Sequence, residues 1–586
     1  MNKSFKAPIL HLSSPLALRM LDRTSKANMA GLTQGITPAG LSTVIFEWLA
    51  HLAMSPGKQL QLVQEAGFKT EILLRYMSQA HKASDTEPCI QPALEDSRFT
   101  GEAWSRWPFN VMSQAFLLQQ EWWQNATTNI DGLSKSTEKA VSFTMRQILD
   151  RMAPSNFPWL NPEVIDATRE QGGKNFVRGW ENFREDLRRR QTDCAPVGTE
   201  AFKLGENLAT TPGKVIYRNH LIELIQYTPT TKKVFAEPVL IVPAWIMKYY
   251  ILDLTEEKSL VRYLLDQGHT VFMISWRNVD SEDRDLGMAD YRRQGPQAAL
   301  DIISSIMPEH KIHAVGYCLG GTLLTIQAAA MARDEDNRLA SITLLAAQVD
   351  FTESGEIAMF ISESQVDYLE SMMEERGYLD GHQMAGAFQL LNSNDLVYSR
   401  MVREYMLGER QPMSALMAWN ADITRMPYKM HSQYLRRIYL NNDLAAGRYI
   451  VGDRPIAITD ISAPIFSVAT SSDHVAPWRS VYKIHLLSDA DEVTFLLTNG
   501  GHNAGIVSEI GHPRRTYQVE TRPARENYVD PDTWQERTPS HQGSWWPAWQ
   551  AWLAERSTRE QVAPPKMGDG RYKPIADAPG TYVLRQ

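Results

Sequence analysis

Apolar residues recur at helical spacing through the first two hundred positions. Leu41 to Leu52 and Glu138 to Met152 carry this pattern without sustained alternation, which predicts amphipathic helices rather than half-buried strands. Turn residues at Ser55-Pro56-Gly57 and Asn161-Pro162 divide them. Near residue 200 the texture changes. Val215-Ile216-Tyr217 and Leu221 to Tyr227 read as paired strands. Short apolar runs then alternate with helical stretches: Val239 to Val242, a helix over Ser259 to Gln267, Thr270 to Ser275, a helical region to Met307, Ile312 to Val315, a helix after Cys318, and Ile342 to Ala346. Repeated β-branched runs with intervening helices predict a parallel sheet covered on both faces.

Between about 350 and 445 the strand signal fades. Glu353 to Glu375 and Met401 to Tyr439 read as helical or irregular, and strands resume at Ile465 to Ala469 and Val493 to Leu497. An insertion between the middle strands of a sheet predicts a cap over the sheet edge. The expected organisation is a helical N-terminal domain over 1–200 and a catalytic domain over 201–586, with the cap and a C-terminal extension. The fold class is α/β. No internal repeat and no long low-complexity tract is present.

Composition alters this picture little. The 586 residues are 43% hydrophobic and 22% charged, with a net charge of -8, ordinary values for globular domains. Charges of both signs are interspersed, which leaves no electrostatic footprint for nucleic acid. Cys89, Cys194 and Cys318 are the three cysteines. No Cys-x-x-Cys or Cys/His cluster suggests a metal, and so few argue against a disulfide framework, so a reducing cytosol fits. No secretion signal is expected, because Pro8, His11 and Pro15 interrupt the N-terminal apolar residues. No apolar run approaches the ~20 residues of a spanning helix. The sixteen tryptophans cluster at Trp104/Trp107, Trp122/Trp123 and Trp545/Trp546/Trp549. Core packing is the plain expectation for them, and a surface that meets a partner subunit or a hydrophobic body is the sharper one.

The candidate chemistry centres on Cys318. Gly316-Tyr317-Cys318-Leu319-Gly320-Gly321 follows an apolar strand and precedes a helix-forming stretch. This is the setting of the Gly-x-Ser-x-Gly nucleophile elbow of α/β-hydrolases, with a thiol in place of the hydroxyl. The partners in that plan follow in the order nucleophile, acid, histidine. Asp473 lies in Thr470-Ser471-Ser472-Asp473-His474, just beyond one strand, and His502 lies in Gly500-Gly501-His502-Asn503 beyond the next. Strand carboxyl ends are where catalytic groups collect in open α/β sheets. His502 is expected to take the thiol proton and Asp473 to orient the imidazole. His474 is the second choice for the base. The backbone N–H of Leu319 and that of Ile246, in the loop after the first parallel strand, are the expected oxyanion donors. Cys89 and Cys194 are expected to be incidental.

Sulfur has a chemical reason. Passing an acyl group from coenzyme A to a cysteine exchanges one thioester for another, so activation is kept. It is then spent on transfer to a hydroxyl, provided water is kept out. A thioesterase or depolymerase using the same triad is the alternative, and a non-enzymatic scaffold with an inactive site is a third.

Several dispersed segments resemble the polyhydroxyalkanoate synthases, most closely the class I type. They are Phe202 to Gly213, Leu224 to Thr231, Lys248 to Leu254, Ser275-Trp276-Arg277-Asn278, the elbow, Trp419-Asn420-Ala421-Asp422, Asp473 to Trp478, Gly501-His502 and Gly543-Ser544-Trp545-Trp546-Pro547. The resemblance implies an α/β-hydrolase core with a cap, and a helical N-terminal region serving granule association and dimer activity. It implies polymerisation of (R)-3-hydroxyacyl-CoA onto a growing polyester chain with release of CoA. Cys318, Asp473 and His502 would be the triad, with the Leu319 and Ile246 backbones as oxyanion donors. No metal and no cofactor beyond the CoA thioester substrate is implied. A homodimer is implied, located in the cytoplasm at the surface of polyester granules beside phasin-type coat proteins. Two positions depart from the family's pattern. Met247 stands where an asparagine is usual, and Asn503 stands where an isoleucine follows the histidine.

Overall fold

The computed structural model describes residues 37–586 other than 82–85, 93–95, 193, 385–396 and 525. The chain forms two compact units, one from Ile36–Val197 and Gly386–Met413, the other from Gly198–Ala385 and Ser414–Gln586.

The first unit is helical: α1 (Pro38–Ala53), α2 (Pro56–Ala80), α3 (Phe109–Thr127), α4 (Lys135–Met152), α5 (Pro162–Glu170) and α6 (Lys174–Gln191). Of the two turns read from the sequence, Ser55 precedes α2 without a side-chain cap bond, and Asn161 caps α5. Asn161 accepts from the Glu163 and Val164 N–H groups, with Pro162 in the first turn of α5, a pairing of N-cap and proline that starts helices. Helix α6 ends in Arg188, Arg189 and Arg190, where cations complement the helix dipole. One face of α6 carries Asn175, Gly179, Asn182 and Asp186, and it receives the Val402–Met406 turn. A Cβ at Gly179 would lie 1.9 Å from the Tyr405 carbonyl oxygen. Asn175 and Asn182 donate to the Met406 and Glu404 carbonyls, and Arg410 pairs with Asp186 at 2.8 Å. The stretch read from the sequence as one cap therefore divides, because residues 398–413 belong to this helical unit.

The second unit is built on an eleven-stranded sheet, counted among the described residues. Its strands are β1 (Gly213–Arg218), β2 (Ile222–Tyr227), β3 (Val239–Val242), β4 (Val271–Trp276), β5 (Ile312–Tyr317), β6 (Leu339–Leu345), β7 (Ile465–Thr470), β8 (Glu492–Thr498), β9 (Thr516–Pro523), β10 (Ser540–Gln542) and β11 (Ala576–Asp577). The spatial order is β10-β9-β8-β7-β6-β5-β3-β4-β2-β1-β11. From β4 to β8 every pairing is parallel. These strands are buried on both faces, which is why they read as continuous apolar runs. Helices α7 (Leu260–Asp266), α8 (Ala298–Ile306) and α9 (Leu319–Arg333) form the crossovers. Mixed sheet, parallel centre and crossover helices make an α/β-hydrolase fold. Strands β1 and β2 and the edges β9, β10 and β11 pair antiparallel.

The C-terminal tryptophan cluster is core. Trp545, Trp546 and Trp549 are at most 2% exposed, on and before α10 (Trp546–Glu555). The partner-surface reading does not hold for these three. Among the described residues no helix is long and apolar enough to cross a membrane.

His269, before β4, is fully buried, stacked on Phe235 at 4.7 Å, with neither ring nitrogen hydrogen-bonded. Burial, helped by nearby His313, pushes its pKa down to about 3. A group held neutral this way favours the fold fully above its unfolded pKa, near 6.5, and loses that contribution as pH falls towards 3. The wild type should therefore lose stability relative to His269→Phe by up to about 1.4 kcal/mol per pH unit below 6.5. Urea unfolding of both proteins at pH 7, 6 and 5 measures this difference.

Candidate active site

Three strand ends deliver the predicted site residues to one place. Cys318 follows β5 directly, Asp473 lies three residues past β7, and His502 lies four past β8. Cys318 adopts φ 53° and ψ -125°, a strained conformation for a residue with a side chain. The strain is held from both sides. The Cys318 N–H donates to the Leu345 carbonyl at 2.9 Å, and the Cys318 carbonyl accepts from Gly321 and Thr322 as α9 begins. The turn is tight because its glycines leave no room for side chains. A Cβ at Gly316 would meet the Gly321 Cα at 2.3 Å, and one at Gly320 would meet the Val242 carbonyl oxygen at 2.1 Å. The second contact presses the start of α9 against the end of β3 and so against the Pro243–Ile246 loop.

Asp473 is buried and both its oxygens are occupied. Oδ1 accepts from the Val475 and Ala476 N–H groups, each at 2.8 Å. Oδ2 accepts from the Thr470 hydroxyl at 3.2 Å and bonds His502 Nδ1 at 2.7 Å. Burial works against a charged imidazole. The Asp473 carboxylate, the Cys318 sulfur and hydrogen bonds to both outweigh it and hold the His502 pKa well above its usual value. His474 is exposed, and the hydrogen bond from the acid runs to His502. Cys89 and Cys194 are half-buried and exposed, respectively.

The Leu319 N–H opens α9 and so has no partner within the helix. Ile246 sits in a loop whose carbonyls are engaged one after another. Trp276 Nε1 donates to Pro243, the Thr424 hydroxyl to Trp245 at 3.0 Å, and Trp419 Nε1 to Lys248 at 2.8 Å. A trans peptide points its C=O and N–H in opposite directions, so the Thr424 bond to the Trp245 carbonyl turns the Ile246 N–H away from Thr424. Met247 is half-buried and forms an isolated β-bridge with Ile423. The 415–440 segment therefore packs at the site. Its Tyr434 and Tyr439 rings lie 5.3 Å apart. Burial raises the pKa of both phenols; Tyr439 adds to the rise at Tyr434, the Tyr434 hydrogen bond offsets part of it at Tyr439, and Cys318 is a smaller influence on both.

The histidine loop has supports that sequence reasoning did not assign. Arg515 donates to the Asn499, Ala504 and Val507 carbonyls. Trp545 Nε1 donates to Gly505 at 3.0 Å and Trp546 Nε1 to Ile506 at 3.2 Å. The Ser544 hydroxyl donates to Ser508. The Ser-Trp-Trp motif was visible in the sequence, but its partners lie about forty residues away and periodicity could not pair them. Among the described residues no group of three or more His, Cys, Asp or Glu side chains gathers as a metal site would.

Comparison with known proteins adds the reaction class. Family models match over residues 237–508 (alpha/beta hydrolase fold), 95–264 (Poly-beta-hydroxybutyrate polymerase (PhaC) N-terminus) and 17–58 (Poly-beta-hydroxybutyrate polymerase N terminal). The chain is 40% identical to the poly(3-hydroxyalkanoate) polymerase of Methylorubrum extorquens over 552 residues, 93% of this chain and 89% of that one. The chain belongs to the poly(3-hydroxyalkanoate) polymerase family. Two further members are the polymerase subunits PhaC of Rhizobium meliloti, 39% identical over 83% of this chain and 79% of that one, and of Cupriavidus necator, 34% identical over 91% and 90%. As a poly(3-hydroxyalkanoate) polymerase family member the chain is an enzyme, an acyltransferase by reaction type. Met247 and Asn503 both flank the site: Met247 adjoins Ile246, and Asn503 adjoins His502.

Proposed function

We propose that this enzyme polymerises (R)-3-hydroxyacyl-CoA into polyester through a thioester on Cys318, with release of CoA. One observation carries this reading. In a chain of the polymerase family, Asp473 hydrogen-bonds His502 at 2.7 Å, and the imidazole sits close enough to a cysteine on a strained elbow for the two to influence each other. His502 takes the thiol proton, and the resulting thiolate attacks the thioester carbonyl of the substrate. The oxyanion that forms is met by the Leu319 and Ile246 N–H groups, fixed dipoles that need no reorganisation. The bond to the CoA sulfur breaks, and the proton on His502 leaves with CoA as its thiol. The acyl group now sits on Cys318 at nearly unchanged activation.

In the second half, the 3-hydroxyl of another acyl unit gives its proton to His502 and attacks the Cys318 thioester. The new ester bond forms, the Cys318 sulfur leaves, and the proton returns to it. Transfer to a hydroxyl must outrun transfer to water. The packing of Tyr434 and Tyr439 near Cys318 supports exclusion of water. The CoA thioester is consumed as substrate, and no separate cofactor or metal enters these steps.

We further place the enzyme in the cytoplasm at the surface of the polyester granule, as a homodimer beside phasin-type coat proteins. Exposed Phe46, Phe68, Trp159 and Trp180 on the helical unit supply apolar surface suited to such a body. The test is CoA release from (R)-3-hydroxybutyryl-CoA and longer homologues, with recovery of the acyl product. Insoluble polyester is expected from the wild type, and neither CoA release nor polymer above background from Cys318→Ala. Free hydroxy acid as the sole product would convert the reading to a thioesterase.

A further inference from the structure

Asn503 follows His502 directly, and its side chain is engaged across the site. The phenol of Tyr317, the last residue of β5 and the one before Cys318, donates to Asn503 Oδ1 at 2.5 Å. Tyr317 is 3% exposed, and its ring lies 5.9 Å from the His502 imidazole, tilted by 33°. Burial pushes the phenol pKa well up, and the charges of Cys318 and Asp473 add to this. The hydroxyl therefore remains a protonated donor.

Asp473 bonds the imidazole itself, whereas Arg515, Trp545, Trp546 and Ser544 grip main-chain carbonyls. Trp545, Trp546 and Ser544 reach only residues 505 to 508, downstream of the histidine. The Tyr317 bond differs in both ends. It holds the side chain next to His502, and it starts from the residue next to the nucleophile. Strand β5 is paired on both sides, with β3 and β6, so Tyr317 rises from a rigid platform.

We propose that the Tyr317–Asn503 hydrogen bond is a positioning link that sets the reach between the Cys318 sulfur and the His502 imidazole. Neither side chain reacts with substrate in this role. The link joins the nucleophile elbow to the histidine loop by one short side-chain bridge, so the spacing does not depend on two separate loops alone. Small errors in such spacing cost rate steeply, of the order of 100-fold for a displacement of about 1 Å. The bond also gives Asn503 a purpose that an aliphatic side chain at that position could not serve.

The proposal rests on the Cys318–His502 reading, and its test separates the two. The readouts are the iodoacetamide alkylation rate of Cys318 at pH 7, followed on its own peptide so that Cys89 and Cys194 do not interfere, and kcat and KM for CoA release. Tyr317→Phe and Asn503→Ile should each slow alkylation and lower kcat by about 10-fold, a part of the loss that a full 1 Å displacement brings. KM should stay within about twofold, because uniform substrate binding is untouched. The double variant should be no slower than either single one, since both remove the same bond. Asn503→Asp keeps an acceptor at the same reach and should alkylate several-fold faster than Asn503→Ile. A merely structural bond would lower thermal stability and leave alkylation of the folded protein unchanged. Unchanged alkylation and kcat in the single variants, or effects that multiply in the double, would overturn the link. Wild-type alkylation that His502→Gln does not slow would instead overturn the thiol–imidazole reading beneath it.

Discussion

Cys318→Ser will load an acyl group and then stall. CoA release in the steady state should fall by at least about 10³-fold, the scale on which loss of an activated nucleophile is felt. Two physical effects act together. A serine hydroxyl is far harder to deprotonate than a thiol, so the imidazole that suffices for sulfur is a weak base for oxygen. The second effect concerns the free energy of the intermediate. Moving the acyl group from CoA sulfur to a serine oxygen spends the thioester's activation in the first step. Onward transfer to a 3-hydroxyl then exchanges one oxoester for another with no remaining drive. The backbone that shapes the elbow, from the Leu345 carbonyl to the start of α9, does not depend on the sulfur. The variant should therefore fold and bind. Intact mass should show one acyl unit on the protein, stable for many turnovers of the wild type, while CoA release reports the rate. Turnover at the wild-type rate would remove the argument for sulfur.

The parallel centre of the sheet was legible because its strands are buried on both faces and written in Val, Ile, Leu and Ala. The elbow was legible for a related reason, since only glycine fits at 316 and 320, where backbone meets backbone. Asp473 and His502 could be placed because each follows a strong strand within a few residues. The edges were not legible. Strand β9 carries Gln518, Glu520 and Arg522 and is half-exposed, so its polar residues hid it. Strand β11 is two residues long and depends on its register with β1. The supports of the site were hidden for a different reason. Arg515, Thr424, Trp419 and the Trp545–Trp546 pair act by donating to distant carbonyls, and a carbonyl has no signature in the sequence. Nor did periodicity divide the 350–445 insertion. The spacing of Asn175, Gly179, Asn182 and Asp186 on α6 marks one helix face, but only the structure shows what occupies it.

The position of the acid makes Asp473→Asn the most damaging change that conserves shape. Oδ1 of Asp473 accepts two backbone N–H groups at 2.8 Å. An asparagine must keep its oxygen there, because its NH2 would face two donors. The NH2 group is then turned towards His502 Nδ1, where Oδ2 now accepts. An amide N–H in that place requires Nδ1 to accept, which moves the imidazole proton to the other nitrogen. That nitrogen can no longer take a proton from the thiol or from the incoming hydroxyl. Loss of the carboxylate also removes one of the influences that oppose burial at His502, so its pKa falls. The imidazolium then disappears at a lower pH than in the wild type, and with it the stabilisation of the thiolate at neutral pH. CoA release should drop by roughly 10³–10⁴-fold, as expected when an imidazole is held in the wrong tautomer. Alkylation of Cys318 should slow at pH 7. Thermal stability should change little, because the bonds to Val475 and Ala476 persist. An Asp473→Asn variant that releases CoA within about tenfold of the wild type would show that the acid does not set the tautomer of His502.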